Sequence, residues 1–467
     1  MSRLEVVILA AGLGTRMKSS RVKVLHRAGG RPLIRWVLDL AAAVGGERPV
    51  IVVGHQRGEV GAECDGLAEL VVQEPQLGTG HAVLQAERTL RARGLAGARV
   101  LVLSGDVPLT RPETLRALVE THERERNAAT VLTMRLPDPG LYGRIVRGGD
   151  GSVERIVEAK DTNERERAID EVNAGIYVFD AELLFEALHA LSDDNAQGEY
   201  YLTDVVAGAA SRRRRVGAMV AADPIEALGV NSRADLGMVE AEMNRRAVAR
   251  LMDAGVTFRN PQTVSIDSSV SIGPDTTIYP FVVLEGSTTI GRDSVIEPSV
   301  HLVNVKVGDG VHVRTGTVAE NAEIADGATV GPYAHLRPGT KLGRNTKVGN
   351  FVETKNAVFG EGSKASHLSY IGDAEIGAGV NVGAGTITCN FDGVRKHKTV
   401  LEDGVFIGSD TQLVAPVTVG RGAYVGAGST VTKNVPPDAL ALSRTPQKNI
   451  EGWAKKKREE RDQGGKP

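Results

Sequence analysis

The stretch Ile266–Leu302 reads IDSSVSIGPDTTIYPFVVLEGSTTIGRDSVIEPSVHL, with an apolar residue at every sixth position: Ile266, Ile272, Ile278, Leu284, Ile290, Ile296 and Leu302. Six is neither a helical period nor the alternation of a simple strand. A sustained hexapeptide repeat predicts short strands joined by tight turns and stacked as a parallel β-helix. After a phase break, Val318, Ile324, Val330, Leu336, Leu342 and Val348 resume the pattern, and Ile407, Leu413, Val419, Val425 and Val431 carry it after a second interruption. Each of these positions is expected to point inward. Gly follows several of them, as in Ile272-Gly273, Ile290-Gly291 and Val330-Gly331, and is expected to serve turns with positive φ. Three hexads per coil predict roughly nine coils over residues 261–435, at about 4.8 Å each.

The first 230 residues read differently. Val6–Ala10, Val50–Val53, Val100–Leu103, Thr130–Met134 and Ile176–Phe179 are short apolar runs, and Leu33–Ala43 and Pro112–Arg124 are helical patterns between them. Near-continuous Val/Ile/Leu strands alternating with helices imply a mostly parallel sheet covered on both faces. Between the halves, Leu236, Val239, Met243, Ala247 and Leu251 keep helical spacing, which predicts one amphipathic helix. The expected division is 1–233 for the α/β domain, 234–254 for the linker helix, 255–445 for the solenoid and 446–467 for a charged, solvated, partly disordered tail.

Of 467 residues, 55 are glycine and 4% aromatic, so the chain is rich in turns and poor in large rings. With 56 basic and 58 acidic residues, it lacks the electrostatic footprint of a protein that binds duplex nucleic acid. Only Cys64 and Cys389 are present, which excludes a disulfide framework and fits a reducing cytoplasm. No leader and no run of about 18 apolar residues is seen, so neither membrane insertion nor export is expected.

Two places carry chemistry. Leu9-Ala10-Ala11-Gly12-Leu13-Gly14-Thr15-Arg16 follows the first strand. Small residues before a helix let backbone N–H groups approach a phosphate, and Arg16 and Lys23 add positive charge. The motif is neither a P-loop nor a dinucleotide fingerprint. Asp106 follows the Val100–Leu103 strand, where α/β sheets place their ligands. In the solenoid, the hexads break at Gly385–Lys396, and an insertion into a solenoid is commonly functional. His367 stands just before it, and imidazole is the side chain whose ordinary titration range suits a general base at neutral pH.

The segments AAGLGTRM, VKVLH, QLGTGHA, SGDVPL, YGRIVR, IVEAKDT, EVNAGIYVF and GVNSRADL together resemble sugar-phosphate nucleotidyltransferases across the whole first domain. GPYAHLRPGT, NFVETKNA, SKASHLSYIGDAEIG, NVGAGTITCNFDG and FIGSDTQLVAPVTVG extend the likeness through the second. Together they resemble the bifunctional N-acetylglucosamine-1-phosphate uridylyltransferase / glucosamine-1-phosphate N-acetyltransferase family. The fold implied is α/β: a Rossmann-like nucleotidyltransferase domain followed by a left-handed parallel β-helix of hexapeptide repeats, assembled as a cytoplasmic homotrimer.

The resemblance implies roles residue by residue. Leu9, Ala10, Ala11 and Gly12 contact the uracil and ribose of UTP, Gln73, Gly78 and Thr79 complete that pocket, and Ser104 and Gly105 also bind substrate. Arg16 and Lys23 act on phosphates. Asp106 and Asn231 hold Mg2+, for which Mn2+ or Co2+ can substitute. Gly143, Glu158 and Asn173 bind the sugar of N-acetylglucosamine-1-phosphate. In the solenoid, Arg337, Lys355, Tyr370 and Asn381 bind glucosamine-1-phosphate, and His367 is the base. Ala384, Asn390, Phe391, Ser409, Ala427 and Arg444 line the acetyl-CoA site. The chain departs from the family at Val22, where Pro usually precedes the lysine, and at Phe391, where Tyr is common. The alternative is a monofunctional sugar-phosphate nucleotidyltransferase with a non-catalytic trimerising β-helix. A metal-dependent hydratase on such a solenoid is disfavoured, since no two of the ten histidines lie within ten residues of each other.

Overall fold

The computed structural model describes residues 3–12, 14–45 and 48–463, so Leu13 of the loop motif and the last four residues of the tail lie outside the described residues. The chain forms two compact units, Met1–Arg246 and Ala247–Pro467. The boundary falls inside the helix Arg233–Asp253. Val239 and Met243 pack with Met17, Ala28 and Leu33 in the first unit, and Val248 and Leu251 pack with Val256 and Phe258 in the second.

The first unit is built on a sheet of β1 (Leu4–Ala10), β2 (Val50–Val53), β3 (Glu69–Val72), β4 (Arg99–Ser104), β5 (Ala129–Arg135), β6 (Glu171–Asp180) and β7 (Val216–Val220). Their spatial order is β7-β5-β6-β4-β1-β2-β3. Alternate side chains go to opposite faces, which explains the continuous apolar runs. Val7, Val50, Val52, Val100 and Val102 enter one core, and Ile8, Ile51, Leu101 and Leu103 the other. Strand β6 runs antiparallel to both β4 and β5, so the sheet is mixed at its centre. The chain reaches β6 from the antiparallel hairpin 144–147/153–157, which stands where a crossover helix would have kept the direction parallel.

The second unit is a parallel solenoid with three strands per coil. Face one points Leu336, Thr354, Ile371 and Thr388 inward; face two, Leu342, Phe359, Ile376 and Leu401; face three, Val348, Ala365, Val382 and Ile407. The expected inward positions are buried with one exception. Val318 is half-exposed, and Ala319 takes the core place between Leu302 and Leu336. The reason is a five-residue step. Passing from face one to face two, Leu302 to Val307, Ala319 to Ile324, Thr354 to Phe359 and Ile371 to Ile376 each take five residues instead of six. The inserted loop between Thr388 and Leu401 occupies the same edge.

The glycine expectation holds at Gly331, whose φ is +94°, but not at the other two positions named. Gly273 and Gly291 have ordinary φ; what they answer is the close approach of the next coil, since a Cβ on Gly273 would lie 2.6 Å from Arg292 N. The tail is solvent-exposed, as expected, and within it Trp453–Asp462 forms a helix. No helix among the described residues is long and apolar enough to cross a membrane.

Candidate active sites

The first site lies at the carboxyl ends of β1 and β4, where adjoining strands splay their connections. Gly105 N donates to Leu9 O at 2.9 Å, tying the two strand ends together. A cleft of about 470 Å3 opens there, lined by Leu9–Gly12, Gly14, Lys23, Gln73, Gly78, Thr79, Ser104 and Asp106. The loop turns on Gly14, at φ +63°, where a Cβ would lie 2.7 Å from Lys23 Cβ, so the turn and the lysine are packed against each other.

Lys23 Nζ forms an ion pair with Asp106 and donates to Asn231 Oδ1 at 3.1 Å. Arg16 donates to the same Asn231 oxygen at 3.0 Å. Two hard oxygens from distant parts of the chain therefore converge on one cationic point. Val230 N donates to Asp106 O at 2.9 Å and holds the two segments side by side. Asp235 accepts from Asn231 N and Ser232 N, capping the helix that begins there. Tyr142, outside the sequence-based set, adds a tie by accepting from Gly229 N at 3.2 Å; burial raises its phenol pKa.

Val22 stands where the resemblance leads one to expect proline. Its φ of −55° lies in the range proline would impose. Its N–H, which proline lacks, donates to Gln56 Oε1 at 2.7 Å. The side chain of Gln56 in turn donates to Ser20 O at 2.9 Å, so a hydrogen-bonded strap stands in for the ring.

Gly143, Glu158 and Asn173 lie together at the hairpin and β6. A Cβ on Gly143 would sit 3.6 Å from Glu158 Oε2, and Asn173 N donates to Gly143 O at 2.8 Å. Burial pushes the Glu158 carboxyl above its ordinary range, Asp161, Asp204 and Glu199 act the same way, and the Thr203 hydroxyl opposes them.

In the solenoid the sequence-derived residues fall into three groups. Arg337, Lys355, Asn390 and Phe391 lie at the edge between faces one and two, with Tyr370 on face one beside them. Arg337 is held by Glu353 at 2.8 Å. The Lys396 ammonium against Lys355, with Arg337 beside it, pulls the Lys355 pKa below its ordinary value. Lys396 comes from the inserted loop and was missing from the sequence-based set. Three cations crowded on an exposed edge favour an anion between them. Asn390 is buried and donates to Asp373 at 2.6 Å, while Phe391 is exposed.

The second group occupies the edge between faces three and one, about one residue per coil: His367, Ala384, Ser409, Ala427 and Arg444. Backbone bonds make it a ladder, with Gly385 N to Leu368 O at 3.0 Å, Asp410 N to Ala384 O at 2.7 Å and Gly428 N to Ser409 O at 2.8 Å. Arg444 donates to Ala427 O at 2.8 Å. His367 pairs across the coil with Asn350, whose Oδ1 faces Nδ1 at 2.5 Å. An oxygen only accepts, so Nδ1 carries a proton, and in the neutral ring the lone pair is on Nε2. Asn350 lies in the quoted NFVETKNA segment, but its role shows only once the coils are stacked. Asn381 is apart from both groups, on face three between Lys364 and Phe406. A single chain thus separates the cation edge from the histidine edge.

Comparison with known proteins follows this division. The MobA-like NTP transferase domain family matches residues 6–200, and the bacterial transferase hexapeptide family matches 321–356 and 398–433. Bifunctional protein GlmU of Syntrophotalea carbinolica is 54% identical over 96% of both chains. GlmU of Geotalea uraniireducens is 50% identical over 98% of this chain and all of its own, and that of Thermobifida fusca is 50% identical over 97% and 94%.

Proposed function

The chain belongs to the GlmU family of bifunctional proteins, and on that premise we propose that it makes UDP-N-acetylglucosamine in two steps. The β-helix acetylates glucosamine-1-phosphate with acetyl-CoA, and the α/β domain transfers UMP from UTP to N-acetylglucosamine-1-phosphate, releasing pyrophosphate. Residues 1–233 and 255–445 are the two catalytic domains, with 234–254 as linker. The cytoplasm, which holds these substrates and keeps Cys64 and Cys389 reduced, is the expected compartment.

The observation that carries uridylyl transfer is the convergence of Lys23, Asp106 and Asn231 in the cleft. Asp106 and Asn231 suit a Mg2+ site, with Mn2+ or Co2+ as substitutes. Two protein oxygens fit an ion whose shell is completed by phosphates and water, and no group of three or more His, Cys, Asp or Glu able to hold a metal occurs among the described residues. Bound there, such an ion would neutralise charge on the triphosphate. Lys23 and Arg16 stabilise the negative charge that grows as a sugar-phosphate oxygen attacks the α-phosphorus. Small residues at Ala10–Gly12 let the nucleoside lie against the backbone, and Gly143, Glu158 and Asn173 orient the acceptor.

For acetyl transfer, His367 Nε2 takes the proton of the sugar amine as its nitrogen attacks the thioester carbonyl. The carbon–sulfur bond breaks and CoA leaves. Arg337, Lys355 and Lys396 receive the sugar phosphate, with Tyr370 and Asn381 on the sugar. The ladder through Ala384, Ser409, Ala427 and Arg444 seats the cofactor, Asn390 and Phe391 meet it from the cation edge, and the Ala384 N–H is the oxyanion donor. Since the cation edge and the histidine edge are separate in one chain, the complete acetyl site joins edges of neighbouring subunits in a homotrimer. Both half-reactions, assayed separately, test the reading. Asp106→Ala is expected to lower uridylyl transfer about a thousandfold and spare acetyl transfer, and His367→Ala the reverse. Full acetyl transfer in His367→Ala would remove it as the base, and a wild type without acetyl transfer would leave a monofunctional nucleotidyltransferase.

A further inference from the structure

At the nucleobase end of the cleft stands a histidine that uridylyl transfer, as described so far, leaves idle. Gln73 follows β3, is 4% exposed and lines the cleft. Its side-chain nitrogen donates to Gly78 O at 2.9 Å and to His81 Nδ1 at 3.1 Å. A main-chain carbonyl only accepts, so Gly78 fixes the nitrogen end of the amide toward itself. Both amide hydrogens are then committed, and Nδ1 of His81 must be an acceptor. The imidazole is neutral, with its proton on Nε2.

Burial alone lowers the His81 pKa, in keeping with that neutral form. Nε2 lies 3.1 Å from the side-chain amide of half-exposed Gln85, one helical turn on. The nitrogen of that amide also donates to His81 O at 3.1 Å; with the proton on Nε2 two donors meet there, and the half-exposed Gln85 side chain, not the Gln73 amide held inside the cleft, is the one that turns away. Gln73 has one group left for the cleft: its carbonyl oxygen Oε1, which has no hydrogen-bond partner among the described residues.

We propose that His81 sets the pyrimidine choice of the nucleotidyl-transfer site by locking Gln73 as an acceptor toward the base. The proposal rests on the uridylyl-transfer reading above. Uracil carries a hydrogen on N3, which an amide oxygen accepts; cytosine has a lone pair there, which the same oxygen repels. A site built around a fixed acceptor rejects the mismatched base because a buried polar group is left facing another of its own kind. Without the His81 acceptor, Gly78 alone holds the amide, whose terminal torsion is intrinsically soft, and a turned amide presents its NH2 to cytosine. His81 is a positioning residue and touches no substrate.

The test compares kcat/KM for UTP and CTP in the full-length chain. It uses wild type, His81→Phe, which has no acceptor, and His81→Asn, whose side-chain oxygen can occupy the place of Nδ1. In His81→Phe the UTP-over-CTP ratio is expected to fall about tenfold, the scale of one neutral hydrogen bond, with the change in KM and kcat on UTP within about threefold. His81→Asn is expected to keep the wild-type ratio. An unchanged ratio in His81→Phe, or equal losses in both variants, would overturn the proposal and leave His81 as packing. Should His81→Phe not fold, His81→Asn decides alone: a folded enzyme that has lost the ratio overturns the idea, and one that keeps it supports it. A wild type that transfers no nucleotide from either triphosphate sinks the uridylyl-transfer reading itself, a distinct failure.

Discussion

In the first unit, Leu9, Asp106 and Asn231 are far apart in sequence yet line or adjoin one cleft; in the second, His367, Ala384, Ser409 and Ala427 follow one another coil by coil along a single edge. Both units are built largely on parallel strands. An α/β sheet brings the carboxyl ends of neighbouring strands to one rim, so residues from distant segments converge. A solenoid stacks each coil only on its neighbours, so its functional groups form rows, and rows on different edges of one prism never meet. The first unit closes its site by folding. On the function proposed above, the second takes another copy of itself to bring the cation edge to the histidine edge.

That difference can be broken experimentally. The largest effect is expected from mixing two inactive proteins. Arg337→Ala and His367→Ala each lose acetyl transfer, but co-refolded mixed trimers should regain it, because some sites receive both intact edges. An inactive mixture would place the whole acetyl site within one subunit. The same experiment with Lys23→Ala and Asp106→Ala should give no uridylyl transfer, since that cleft is made by one chain.

A smaller effect is expected at Asn350. Replacing it by Ala frees the His367 ring and its tautomer, and acetyl transfer should fall roughly tenfold to a hundredfold, the usual scale for a partner that orients an imidazole. Asn350→Asp, which still accepts from Nδ1, should recover most of it. Equal losses in both variants would mean that Asn350 supports the coil and not the base.

The smallest effect concerns how the solenoid closes on itself. A Cβ on Gly360 would lie 2.5 Å from the Gly377 carbonyl carbon and 2.6 Å from Ala378 N, both backbone atoms. Gly360→Ala should therefore destabilise the second unit by about 2 kcal/mol, as overpacking does, and leave uridylyl transfer intact. Two resolved calorimetric transitions, only one of them shifted, would bear this out; a common shift would mean that the units unfold together.

Much of this was legible from residues alone. A period of six has no helical explanation, and the Ile, Val and Leu at that spacing announced the solenoid core. The runs around Val7, Ile51 and Val102 announced a sheet covered on both faces. The loop Leu9–Arg16, Asp106 and His367 stood out by residue type and place, and motif resemblance supplied the rest of the candidate set. Periodicity does not report edges, however. Ala319 replaces Val318 in the core because a coil lost one residue at one edge, and the string of letters reads the same wherever that residue is lost.

The sequence by itself determined the two fold classes and the chemistry of the candidate groups, since apolar spacing and residue type are local properties of the chain. Only tertiary structure decided which groups meet. Stacking set Asn350 against His367 and brought Lys396 to Lys355, folding brought Asn231 to Lys23, and His81 took hold of Gln73. Each of these pairings depends on backbone positions in three dimensions, and hydrogen bonds and ion pairs act over a few ångströms whatever the distance along the sequence.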